Sequence, residues 1–149
     1  MNFRKAIGVI ILDPDNNLVA FQRSDFPETW QCPEGGIDEG ETPDRAMARE
    51  LHEEIGLESK DFEVLEKTKN FIRYGFGEGM KINGYDGQDK QFFLVRLKKP
   101  VAEIEFKYDN VAEEIEFLTY RLVRKDELIS LLPKFKEELY KKVLTEFKL

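Results

Sequence analysis

Glu50, Glu53 and Glu54 stand at i, i+3 and i+4 in a stretch that reads as helix, so their carboxylates share one face. Like charges at that spacing repel by roughly 0.2–0.5 kcal/mol per pair on an open helix, and by more as the surroundings dry out. A cation belongs among them. Arg49 can offset part of the charge, but a ligand set made only of carboxylate oxygens is what a hard divalent ion such as Mg²⁺ prefers. The competing reading is a solvated acidic face with no ligand.

The helix that carries these groups has clear ends. Thr42 can cap it, Pro43 suits its first position and Gly56 fits just past the last turn, which predicts a helix from Pro43 to Ile55. At about 100° per residue, Met47, Ala48, Leu51 and Ile55 fall on one apolar arc with the glutamates on the arc beside it. Upstream, Trp30-Gln31-Cys32-Pro33 reads as a short strand delivering the chain to Gly35-Gly36, where the backbone can approach a metal because no side chain intervenes.

The whole chain narrows the chemistry further. Its 149 residues suffice for one domain, 1–149, with a sizeable core and are too few for two ordinary ones. With 41% hydrophobic and 36% charged residues the composition is that of a soluble globular protein, and no apolar run reaches the length of a membrane span. Ala6 to Leu12 after Arg4-Lys5 is too short for a signal sequence and lacks a cleavage site, so a cytoplasmic location is expected. Cys32 stands alone, which excludes an internal disulfide and a cysteine metal cluster and suits a core position. His52 is the sole histidine and points away from the glutamate arc, so a nucleophile activated by histidine has little support. Catalysis must rest on carboxylates. A net charge of −7 argues against nonspecific binding to a nucleic acid backbone, so a polyphosphate would be received through metal and a local basic patch.

Along the chain, Ala6–Leu12 and Leu18–Gln22 read as a hairpin around Asp13-Pro14-Asp15-Asn16-Asn17. That turn mimics the opening of a calcium loop but has Leu18 and Ser24 where the loop needs Gly and Glu. Phe62–Glu66, Thr68–Tyr74, Gln91–Leu97 and Glu114–Val123 read as further strands. Between two of them lies a glycine-rich loop, Gly75 to Gly87, which no helix follows and which reads as a mobile cover over a substrate rather than a phosphate turn. Lys98 to Ala112 is polar and expected on the surface, and Pro133 is expected to start a final helix with Phe135, Leu139, Val143, Leu144 and Phe147 as its apolar stripe. Strands before, between and after two helices predict an α/β fold, a mixed sheet between helical layers.

Gly35, five residues, Glu41, seven residues, then Arg49-Glu50-Leu51-His52-Glu53-Glu54-Ile55-Gly56-Leu57 resembles the Nudix box at every specified position. Phe3-Arg4, Trp30-Gln31, Pro33, Gly35-Gly36-Ile37, Arg73-Tyr74, Gly87-Gln88, Phe92-Phe93-Leu94 and Phe135-Lys136 with Tyr140 extend the resemblance over nearly the whole chain, toward the subgroup of bacterial RNA pyrophosphohydrolases and dinucleoside polyphosphate hydrolases. Cys32 stands where that subgroup usually has an aromatic, and Glu34 where it has Gln, which sets an extra negative charge beside the expected phosphate site.

The resemblance implies a Nudix-type α/β/α sandwich with a mixed β-sheet that uses Mg²⁺, or Mn²⁺, to hydrolyse phosphoanhydrides. It implies Glu50, Glu53 and Glu54 as metal ligands, Glu53 as leading general base, Arg49 as the group that orients the carboxylates, a backbone carbonyl near Glu34 to Gly36 as a further ligand and Glu41 as a tie from loop to helix. Arg4, Arg23, Tyr74 and Lys90 are candidates to grip phosphates and Phe135 to stack on a base, each set against an ordinary surface or packing role. A distal glutamate is also implied. Counting back from Phe135-Lys136 favours Glu116 as this catalytic and metal-binding group, with Glu114 as competitor on the same strand face and Glu113 on the other. The expected substrate is the 5′-triphosphate end of RNA; a dinucleoside polyphosphate such as diadenosine tetraphosphate is the alternative. A metal-dependent nucleotide or RNA binding module is the non-enzymatic reading, and neither a membrane nor an obligate protein partner is expected.

Overall fold

β1 (Phe3–Leu12) and β7 (Gly87–Leu97) pair in parallel along their full shared length, from Phe3 opposite Gly87 to Leu12 opposite Arg96, and form the centre of the sheet. The computed structural model describes residues 1–106 and 115–149. Every other pairing among the described residues is antiparallel: β2 (Leu18–Arg23) and β4 (Glu34–Gly36) with β1, β3 (Trp30–Gln31) and β8 (Phe117–Val123) with β2, β5 (Phe62–Lys67) and β6 (Ile72–Gly75) with β7. The result is a mixed eight-stranded sheet.

From Ala6 to Leu12, β1 is an unbroken apolar run because it is buried on both faces. Ile7, Val9 and Ile11 point into one core with Ala46, Met47, Leu51 and Ile55 of α1 (Pro43–Ile55). Ile10 and Leu12 point into a second core with Leu128 of α2 (Lys125–Leu131) and Leu139, Tyr140, Val143 and Leu144 of α3 (Glu137–Glu146). Helices therefore cover both faces of the sheet, as the α/β/α expectation required. Cys32 is fully buried in the second core.

Several elements differ from their sequence reading. β3 ends at Gln31, and β6 begins only at Ile72, the chain before it being tied to β7 by Thr68, whose backbone N–H bonds Phe92 O at 2.8 Å. The segment after β7 is not all surface: Val101 and Ile104 are buried in the first core. α2 was not expected. After Pro133 the chain makes a 3₁₀ turn, Lys134–Lys136, and α3 starts only at Glu137. That turn removes Phe135 from the apolar stripe and leaves it exposed, and buried Tyr140 joins Leu139, Val143, Leu144 and Phe147. Glu113 and Glu114 lie outside the described residues. Among the described residues no helix is long and apolar enough to cross a membrane.

Candidate active site

α1 begins and ends where its capping residues dictate. Thr42 Oγ1 accepts the Arg45 N–H at 3.2 Å, and Gly56 closes the helix in the left-handed conformation at φ 67°. Its buried side comprises Ala46, Met47, Leu51, Glu54 and Ile55, so Glu54 falls within the apolar stripe rather than beside it.

Arg49 joins this helix to the loop before it. Its guanidinium donates to both oxygens of Glu41, at 2.8 and 2.9 Å, and to the Gly36 carbonyl at 2.9 Å. The remaining nitrogen donates to Glu50 Oε1 at 2.9 Å and Glu53 Oε1 at 3.1 Å. One planar, permanently charged group thus fixes the loop and holds two of the three helix glutamates. Hydrogen bonds from Arg49 and from the Asp38 backbone hold the Glu41 carboxyl down at about 2.

Glu54 is left out of that arrangement. Both of its oxygens are enclosed and receive no hydrogen bond from the described residues. Burial pushes its pKa well up, and the neighbouring Glu50 carboxyl, with Glu116 and Glu34 behind it, pushes it further. Glu50 is itself raised, first by burial. Two buried carboxyl groups this close are stable only with a shared proton or a cation. Gly35 is pressed against the same point, since a Cβ there would lie 2.1 Å from Glu50 Cδ. Orphaned carboxylate oxygens beside bare backbone fit a hard divalent cation held by Glu50 and Glu54. Glu53 and the Gly36 carbonyl are engaged by Arg49, and in these side-chain positions no three acidic or histidine groups among the described residues converge as a ligand set.

A cleft of about 260 Å³ opens beside this cluster. Arg4, Arg23, Tyr74, Lys90, Phe135 and Glu116, taken from six separate parts of the sequence, all line it. Arg4 lies flat on Gly36, where a Cβ would strike its guanidinium at 2.1 Å. Arg23 is engaged by Asp25 at 2.6 Å and lies over the Phe26 ring. Phe135 stacks on Tyr74 with ring centroids 6.3 Å apart and meets Phe76 edge-on at 6.0 Å. Glu116 is brought close enough to Glu54 to raise its pKa.

Lys90 calls for a correction to its expected role as an open phosphate grip. It is 1% exposed, bonds the Glu34 carboxylate and donates to Tyr74 Oη at 2.9 Å. Its charge is already answered inside the protein. The same holds for Glu34: burial alone would raise its pKa, but the Lys136 and Lys90 ammonium groups overcome this and bring it to about 2.

Sequence reading did not assign Gln31, Phe76, Ile82, Gln88 and Lys136 to the cleft that they line. The Trp30-Gln31, Gly87-Gln88 and Phe135-Lys136 pairs were signals for Gln31, Gln88 and Lys136; Phe76 and Ile82 depend on how β6, β7 and the loop between them fold together. A larger cleft of about 460 Å³, lined by His52, Lys60, Lys99 and acidic neighbours, contains none of the expected site residues.

The NUDIX domain family matches residues 2–147. A protein of Nitratiruptor sp. named RNA pyrophosphohydrolase is 41% identical over 128 residues, 85% of this chain and 78% of that protein. One of the same name from Francisella tularensis subsp. mediasiatica is 36% identical over 149 residues, 98% of this chain and 94% of that protein. Among solved structures, the Escherichia coli dihydroneopterin triphosphate pyrophosphohydrolase shares the fold with a TM-score of 0.73 at 19% identity, covering 98% of this chain and 99% of that one.

Proposed function

Because this chain belongs to the NUDIX family, a family that generally uses divalent metal ions, we propose that it is an RNA pyrophosphohydrolase. It converts the 5′-triphosphate end of RNA to a 5′-monophosphate, releasing pyrophosphate, or phosphate stepwise. The observation that carries this reading is the meeting of Glu50 and donor-less Glu54 with a cleft lined by Arg4, Lys136 and an exposed aromatic. Such a site suits a phosphate chain attached to a base. The names of the relatives at 41% and 36% identity support RNA as the substrate class, and the family match over residues 2–147 supports a single domain over that span.

Glu50 and Glu54 would hold the metal, Mg²⁺ or Mn²⁺, with Glu53 and Glu116 completing the acidic surround. When bound, the ion supplies positive charge for the non-bridging phosphate oxygens and the leaving group. Glu53, exposed on the same helix face, takes the proton of the attacking water. Oxygen of that water bonds to phosphorus as the anhydride P–O bond breaks, and the bond's electron pair leaves with the departing phosphate. Arg49 keeps Glu50 and Glu53 aligned through its bonds at 2.9 and 3.1 Å. Arg4, Arg23 and Tyr74 steady the phosphates, while the exposed Phe135 takes the base on the side away from Tyr74. Triphosphate RNA ends arise in the cytoplasm, where this reading places the enzyme.

The test is a side-by-side turnover assay with Mg²⁺ on triphosphate-ended RNA, diadenosine tetraphosphate and free nucleoside triphosphates at equal concentration. RNA is expected to give the highest kcat/KM. Turnover confined to the dinucleotide would replace the proposed substrate, and no turnover of any would leave a binding module.

A further inference from the structure

Glu34 is a carboxylate at the floor of a site built for polyanions, and its lone pairs are spent inward. One oxygen accepts from both Lys90 and Lys136, the latter at 2.8 Å, and the other accepts the Tyr140 hydroxyl at 2.5 Å. Its side chain is 7% exposed, against 1% for Lys90 and 10% for Lys136. Lys136 also donates to Gln31 Oε1 at 3.2 Å, which leaves the third of its ammonium N–H groups for a ligand in the cleft that it lines. Lys90 is enclosed by the Tyr74 and Phe92 rings and spends its bonds on Glu34 and Tyr74. Of the two floor lysines, Lys136 is the one that meets a ligand, and it does so with a resident carboxylate already at hydrogen-bond distance.

We propose that Glu34 is a specificity-determining residue that weakens the grip of the cleft on phosphate chains by acting as the permanent counter-ion of Lys136. A phosphate that approaches Lys136 competes with Glu34 for the ammonium and is repelled by the carboxylate itself. The penalty grows with the charge of the chain. Ground-state attraction that a long polyphosphate would otherwise gain is thereby withheld, and a charged product leaves more readily. The inference rests on the reading of this cleft as the phosphate site.

Glu34 also ties β4 to α3 through Tyr140, so the experiment must separate charge from scaffolding. Glu34→Gln keeps the shape and one acceptor oxygen for the lysines, removes the charge, and turns an NH2 donor toward Tyr140, whose hydroxyl can accept it. Binding of inorganic tripolyphosphate and of orthophosphate is measured by calorimetry in excess chelator, with thermal unfolding as a check of folding. Tripolyphosphate is expected to bind the variant at least ~5-fold tighter than the wild type, with a smaller gain for orthophosphate. Should Lys90 without its counter-ion prevent folding, Glu34→Gln with Lys90→Met removes both members of the buried pair. The summed floor charge then equals that of the wild type, and tighter tripolyphosphate binding is still expected because Lys136 is released. Equal or weaker binding in the folded variant, including no detectable binding by either protein, overturns the inference. Wild-type turnover of triphosphate RNA is a separate readout, and its failure would instead overturn the proposed function.

Discussion

Burial sets Glu54 apart from its two helix neighbours. Glu53 and Glu50 each have Arg49, but both Glu54 oxygens lack a donor among the described residues. Its folded pKa lies above the ordinary value of 4.5, so the folded protein binds that proton more tightly than the unfolded chain does. Without metal, stability is therefore lost as pH rises from about 4.5 through the folded value. Glu34 and Glu41, held at about 2, act in the opposite window, and their stabilisation is lost as pH falls from 4.5 toward 2. Glu54→Gln should consequently raise Tm in chelator, hardly at all near pH 4.5 and by roughly 2–8 °C at pH 8. A variant less stable than wild type at pH 8 would show that the cluster is not strained when empty. Glu53→Gln should keep the fold and lower turnover at least ~10²-fold, as loss of the proton acceptor requires. Glu116→Gln should lower it at least ~10-fold, as loss of a distal metal contact requires. A wild-type rate for either reassigns that role.

At the scale of elements, β4 and α1 make the site by pressing bare backbone onto a carboxylate. Gly35 lies where a Cβ would meet Glu50 Cδ at 2.1 Å, and that carboxyl is the free end of a flexible side chain. Gly35→Ala should therefore fold with a Tm close to that of wild type but displace Glu50 and lower activity at least ~10-fold; activity within twofold of wild type would mean that Glu50 need not sit against the glycine. This pairing was legible in the sequence because the helix ends are written locally by Thr42, Pro43 and Gly56 and the glycines precede it at fixed spacing. The last helix was less legible. Its apolar period runs through Phe135, but the 3₁₀ turn at Lys134–Lys136 rotates that residue out to the cleft while Lys136 turns inward to Glu34. The glycine-rich loop was recognisable, with positive φ at Gly77, Gly79 and Gly84. That Phe76 and Ile82 would line the cleft was not, because their placement depends on the β6–β7 pairing.

For the molecule as a whole, the sheet brings together what the chain keeps far apart. β1 supplies Arg4, β2 Arg23, β6 Tyr74, β7 Lys90 and the turn before α3 Lys136, while α1 sets its glutamates at one end. Individual residue types hinted at these roles, but the bond from Lys90 to Glu34 spans 56 positions and that from Lys136 to Glu34 spans 102, so pairwise neutralisation could not be read from local spacing. A chain of net charge −7 thus lines this cleft with basic groups, which suits the proposed recognition of an RNA end rather than the length of its backbone. The central claim is that this site removes phosphates from that end with the help of a divalent ion. Its most direct measurement is to incubate triphosphate-ended RNA with the protein, in Mg²⁺ or in excess chelator, and then to add an exonuclease that degrades only 5′-monophosphate RNA. The account predicts degradation after incubation in Mg²⁺ and full-length RNA after incubation in chelator; RNA that resists the exonuclease in both, or is degraded equally in both, would contradict it.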